Sequence, residues 1–258
     1  MVATLEQLHQ DLSRLKTTSA AIAQDLRQLL AEYLRVLGIA VQKQLVLSTF
    51  QLCTEVYPEA FLQLSVSERE TLQRQVRDLG RQAIATLAET AAPLQDLADA
   101  AEIDPTQLLD AWETVEHDMM KALQDSSLQV NQLLQETQVM QIRSLDKLLD
   151  MAVKADDSGR SITNPPHLLK ALIEPKNLEE DEDLNPVVAI YLQLEDLEFT
   201  DSTLMSWRQK IRPLLQKLSQ VQQSFAQKQE EQLSAEAIAA WKSTWVAEDS
   251  LLGGGATD

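Results

Sequence analysis

Leu5, Leu8, Leu12, Leu15, Ile22, Leu26, Leu29, Tyr33 and Val36 follow one another in alternating steps of three and four, with Ser19 the one interruption. That is the period of a helix with a single buried stripe, so residues 4–56 should form a long helix whose seam another helix covers. A second series, Leu204, Trp207, Ile211, Leu214, Leu218, Val221 and Phe225, repeats the spacing near the other end. The two seams are natural partners within one chain; the alternative is a homodimer in which the first seam pairs with its own copy. A straight helix over residues 4–56 would be about 80 Å long, which predicts a break or bend near Gly38. Pro213 predicts a kink or restart in the second helix.

Punctuation supports the same class. The 258 residues include only 6 glycines, of which Gly253, Gly254 and Gly255 sit at the end, and 8 prolines that fall mostly between periodic stretches. The pattern is all-α: an elongated helical bundle with coiled-coil-like N- and C-terminal helices. Helices are expected at 4–56, 68–91, 105–124, 127–155, 165–173, 186–198 and 202–246. Thr4 with Gln7 and Ser67 with Glu70 have capping-box spacing. Asp104-Pro105, Asn164-Pro165 and Asn185-Pro186 place an N-cap before a proline that needs no donor at the first helical position. The Asp-Asp-Ser-Gly interruption suggests an N-terminal helical part, 1–155, a connection, 156–163, and a C-terminal part, 161–247, with a disordered tail, 248–258. If the seams pair, both parts form one folded unit.

The formal charge is −18, which disfavours direct tracking of a nucleic-acid backbone. Its distribution is uneven. Residues 1–56 carry five acids and five bases, residues 202–258 six of each, and residues 156–201 twelve acids against three bases. The densest run, Glu179, Glu180, Asp181, Glu182 and Asp183, reads as a solvated connection or as a dock for a basic protein surface. Trp241 and Trp245, one turn apart, either close the bundle or anchor a partner. Trp112 and Trp207 are core candidates, and Met119 and Met120 are filler.

Chemical constellations are sparse. Asp110, Glu113 and His117 share a helix face beside Glu116, but a carboxylate-bridged di-metal bundle needs two Glu-x-x-His motifs, and His9 and His167 lie far off in sequence, so no metal or cofactor is expected. The single cysteine, Cys53, sits in an apolar stretch and reads as core rather than nucleophile; one cysteine excludes an internal disulfide and fits a reducing cytoplasm. The sequence has no nucleophile elbow, phosphate loop or dinucleotide fingerprint. No stretch approaches about 20 consecutive apolar residues, and residues 1–10 do not resemble a secretory signal, so a soluble protein without a transmembrane segment is expected.

The segment from Ile162 to Leu172 (Ile-Thr-Asn-Pro-Pro-His-Leu-Leu-Lys-Ala-Leu) is similar to one repeat of the N-terminal substrate-selecting domains of Clp-type chaperones, which implies a short capped helix there; those domains use two such repeats. The strings from Leu47 to Pro58 and from Asn185 to Leu192 resemble segments of uncharacterised helical proteins of oxygenic photosynthetic bacteria. That resemblance implies a bacterial cytoplasm with thylakoids nearby and an assembly or regulatory setting. The reading that follows is a non-enzymatic helical scaffold or adaptor acting through protein–protein contacts. The alternatives are an acidic regulator that occupies a partner's basic, nucleic-acid-binding groove, and a helical enzyme without a recognisable motif.

Overall fold

The computed structural model describes residues 4–97, 99–140, 167–171 and 187–252. The elements in chain order are α1 (Leu5–Gln51), a π-helical turn (Leu52–Val56), α2 (Pro58–Gln63), α3 (Val66–Glu89), α4 (Ala92–Leu97), α5 (Pro105–Glu136), β1 (Leu168–Ala171), β2 (Val187–Ile190), α6 (Leu194–Thr200) and α7 (Ser202–Leu252). The architecture is all-α, with one small two-stranded sheet. Two compact units are assembled from interleaved segments: one from Met1–Gln28, Pro93–Glu113 and Ile211–Asp258, the other from Leu29–Ala92 and Thr114–Lys210. The acidic run Glu179–Asp183 and the expected connection 156–163 lie outside the described residues. Of the tail expected to be disordered, residues 248–252 instead continue α7, and residues 253–258 lie outside the described residues.

In the first unit the two seams meet inside one chain. His9 contacts Gln232 at 3.2 Å, Asp11 faces Lys228 at 3.9 Å, and the Lys16 ammonium lies 5.9 Å from the centre of the Phe225 ring, an antiparallel series. Leu8, Ile22 and Leu26 are buried here, as are Ile211, Leu218 and Phe225. The surface that a first-seam homodimer would use is therefore already covered. Thr4 and Gln7 exchange the expected capping-box bonds, at 3.0 and 3.3 Å, and the Asp104 carboxylate accepts from the Thr106 N–H at 2.9 Å at the start of α5.

In the second unit, α1 does not break at Gly38. The glycine serves close approach: a Cβ there would lie 3.1 Å from Ile84 Cγ1, and one at Gly80 would lie 2.8 Å from Gln42 Cγ. Gly38 and Gln42 of α1 thus interlock with Gly80 and Ile84 of α3, so helix continuity is the condition for this crossing. The helix changes only at Leu52–Val56, where the Tyr57 N–H reaches back to the Leu52 carbonyl at 2.7 Å; Tyr57 precedes Pro58, which disfavours the α region.

Other boundaries move for local reasons. The capping box of α3 is Ser65 with Glu68, bonds of 2.7 and 3.3 Å, rather than Ser67 with Glu70. The earlier cap lets Arg69 reach back to the carbonyls of Phe61 and Leu62, closing α2 onto the start of α3. The helix expected at 105–124 and the first part of the one expected at 127–155 are one helix through Glu136, because Ser126 and Ser127 satisfy their hydroxyls on the carbonyls of Ala122 and Leu123; residues 141–155 lie outside the described residues. Gln138, at φ 59°, ends it, with the Met140 N–H on the Leu134 carbonyl at 3.0 Å. Pro213 sits inside an uninterrupted α7.

The helices expected at 165–173 and 186–198, including the one implied by the chaperone resemblance, are replaced in part by β1 and β2. They pair antiparallel, Leu168 opposite Ile190 and Leu169 opposite Ala189. His167 at φ 65° turns the chain into β1, and Val187-Val188-Ala189-Ile190 is rich in β-branched residues. The outer edge of β2 is clasped by side chains: the Asn131 amide bonds both Ile190 N–H and C=O at 2.9 and 2.7 Å, and the Tyr57 hydroxyl bonds both groups of Val188 at 3.1 and 3.0 Å. Two side chains thereby complete an edge that would otherwise be a pairing hazard.

Candidate functional site: an apolar groove on the second unit

Past the glycine crossing, α1 and α3 part. Val46, Thr49 and Phe50 from α1, Cys53 and Thr54 from the π-helical turn, Phe61 from α2, and Leu72, Gln73, Val76 and Arg77 from α3 enclose a groove of about 320 Å³. Its base is Cys53, Leu72 and Val76, all buried, while Phe50 on its rim is 59% exposed. Val46, Leu47, Leu62 and Val66 extend exposed apolar surface along the neighbouring stretches of α1, α2 and α3. The lining threonines are spent on their own helices: Thr49 Oγ1 donates to the Leu45 carbonyl and Thr54 Oγ1 to the Phe50 carbonyl, at 2.7 and 2.8 Å. What remains polar is the α3 wall, Gln73 and Arg77, with Arg74 one turn before Arg77. Residues 71–77 contain these two bases and no acid. The groove therefore offers apolar contact with a cationic margin, an arrangement suited to recognition. Burial pushes the Cys53 thiol up to about 11, which withholds the thiolate at neutral pH and removes it as a nucleophile.

A part-buried polar cluster holds the same unit together. Arg208 donates to Glu116 at 2.6 Å and approaches Glu198 at 3.5 Å, and the Tyr33 hydroxyl donates to Glu198. Burial, and then the Glu198 hydrogen bond, push the Tyr33 phenol above its ordinary value. Burial opposes the Arg208 charge, but Glu116 and Glu198 hold the guanidinium above its usual value. Side chains from α1, α5 and α6 thus converge on one arginine of α7. The spacing marks Tyr33 only as a seam residue, and nothing in the sequence marks its phenol, Asn131, Tyr57 or Ser127, whose Oγ accepts from the Leu192 N–H at 3.0 Å, as polar clasps. His167 is buried and unbonded at both ring nitrogens among the described residues, and burial holds its imidazole below the usual value.

Trp241 is 68% exposed on α7, with Leu233 and Ile238 also exposed; Trp245 lies one turn further along the helix. Asp110, Glu113 and His117 are exposed on α5, and among the described residues no group of three or more His, Cys, Asp or Glu could hold a metal ion. Trp112 is buried as expected, whereas Trp207 is only half-buried, with the Lys210 ammonium 3.9 Å from its ring centre. By length and composition alone, the helix Leu5–Val56 is long and apolar enough to cross a membrane, its best window having a mean hydropathy of 1.3. An average over a window tolerates interspersed polar residues that a run does not, and half of that window is buried within the protein. The one sequence signal bearing on the groove is that Val46 and Phe50 are apolar residues of α1 that belong to neither seam; the groove itself exists only where α3 stands opposite them. Comparison with protein-family models, curated proteins and solved structures returns no match.

Proposed function

We propose that the protein is a non-enzymatic helical adaptor or scaffold of the cytoplasm, working through protein–protein contacts in the assembly or regulation of a bacterial complex. The observation that carries this reading is the groove with its exposed apolar border, Phe50, Val46, Leu47, Leu62 and Val66, on a unit whose helices are otherwise closely packed. Contiguous apolar surface of this kind marks contact sites. The test is recovery of tagged wild-type and Phe50→Asp proteins from the native organism at low and moderate salt. A protein retained by the wild type at both salts and absent from the variant supports the reading; identical retained sets exclude the groove as the contact. A second reading rests on charge segregation, with Glu179, Glu180, Asp181, Glu182 and Asp183 docking on a basic partner. It requires a salt-sensitive partner that is lost when those five residues are neutralised.

A further inference from the structure

We infer that the groove receives the distal part of α7 from a second copy of the chain, so that copies associate head to tail. This rests on the reading of the groove as a protein-contact site and names its occupant. The distal helix supplies what the groove lacks. Positions 233, 237 and 241 are spaced by four and 238 precedes 241 by three, so Leu233, Ile238 and Trp241 share one helical side; they are 67%, 49% and 68% exposed. Between Lys228 and Lys242 this stretch carries Glu230, Glu231 and Glu236 and no base. The groove presents the converse pattern, with apolar walls and Arg77 on its lining; Arg74 stands one turn before Arg77 on α3, beyond the lining itself. Arg77 has no carboxylate partner among the described residues, and the Arg74 guanidinium is offered only the Thr71 hydroxyl at 3.4 Å. Thr49 and Thr54 have committed their hydroxyl protons to their own helices, so the interior offers no free side-chain donor and favours apolar side chains, with Arg77 as the lining cation.

An apolar helix side with acidic flanks seated in an apolar groove with basic flanks is a recurrent mode of helix recognition. The two surfaces differ, so the contact is heterologous and propagates instead of closing as a pair.

The experiment is sedimentation velocity on the full chain over a concentration series, comparing wild type, Phe50→Asp and Trp241→Asp, with helix content checked by circular dichroism. Both substitutions fall on exposed side chains, so folding should be kept. The wild type should grow with concentration beyond a dimer, and each variant alone should self-associate roughly tenfold more weakly or worse. Mixed together, the variants should form a one-to-one pair that grows no further, because one donates an intact helix and the other an intact groove. Exchange of charge gives a second readout: Arg74→Glu with Arg77→Glu on one chain should be rescued by Glu230→Lys with Glu236→Lys on the other. Self-association that survives Phe50→Asp, or fails to be restored in the mixture, overturns the head-to-tail contact. A wild type that stays monomeric at every concentration also overturns it. If Phe50→Asp nevertheless loses a cellular partner, the groove remains a contact site with a foreign occupant, and if it loses none, both readings fall.

Discussion

One pair of helices behaves in two ways along its length. At Gly38 and Gly80, α1 and α3 approach so closely that neither position has room for a methyl group without displacing Ile84 or Gln42. Two to three turns further along α1, at Val46 and Phe50, the same helices line an open groove. The difference lies in side-chain size at the crossing, not in helix propensity: glycine costs about 1 kcal/mol relative to alanine inside a helix, and the crossing returns that through packing. A pair pinned at one end and spread at the other keeps its open end in a fixed shape, which is what a recognition groove requires.

The strongest test of the pinned end is Gly80→Leu. The added side chain would begin 2.8 Å from Gln42 Cγ and 3.2 Å from Gln42 Cα, so the backbones must move apart, and overpacking of this kind costs about 2–3 kcal/mol. Urea unfolding should show the loss as a lower midpoint. An unchanged midpoint would mean that the crossing is loose and that the comparison between the two ends fails.

Cys53 reports on the floor of the open end. Its thiol is pushed from 9.0 up to about 11 by burial, so at neutral pH the thiolate fraction alone should slow labelling by about 100-fold relative to the unfolded chain. An aromatic disulfide reagent, followed by absorbance, measures that ratio. Labelling as fast as in urea would show that the groove floor is open to water, and a Gly80→Leu chain that labels faster than wild type would tie the two ends together mechanically.

The buried titratable groups of the second unit also predict alkaline sensitivity. Tyr33 and Cys53 both hold their protons more tightly in the folded protein than in the unfolded chain, whose ordinary values are 10.0 and 9.0. Their stabilisation is complete below those values and is lost as pH rises, from 9.0 through about 11 for the thiol and from 10.0 upward for the phenol. Unfolding midpoints should therefore fall above pH 9, with a loss of about 1 kcal/mol or more per pH unit once one group titrates fully. Tyr33→Phe should flatten the part of the fall above 10; an identical slope in both proteins would remove the phenol from the balance.

How far the sequence reveals this molecule depends on whether a residue's role is set by its own helix or by a neighbour. The seam from Leu8 to Leu26 and the one from Ile211 to Phe225 were legible because a helix buries every third or fourth residue whatever covers it. The Thr4–Gln7 cap was legible because both partners lie within one turn. Gly38 was not: a helical glycine reads equally as a hinge or as a point of contact, and only Ile84, 46 positions away, decides. Val187-Val188-Ala189-Ile190 is too short for its periodicity to separate strand from helix, and its strand depends on Asn131 and Tyr57 from distant elements. The proposed recognition surface was hidden for a related reason, since Val46 and Phe50 lie off the seam and become a groove wall only when α3 stands opposite.

The smallest effect sharpens the comparison most. Phe50 is 59% exposed on the rim, so Phe50→Ser removes apolar surface that folding never took from water, and its effect on stability should stay within about 0.5 kcal/mol. Val76, on the floor of the same groove, is 2% exposed, and its truncation to alanine leaves a cavity that should be felt clearly in the same unfolding experiment. Two apolar residues lining one groove would thus separate into one that holds the fold and one that is kept for another purpose. If Phe50→Ser instead lowered the urea midpoint as much as Val76→Ala, the rim would be covered in the folded protein. The groove would then be part of the core, and the open end would be no more available to a partner than the glycine crossing is.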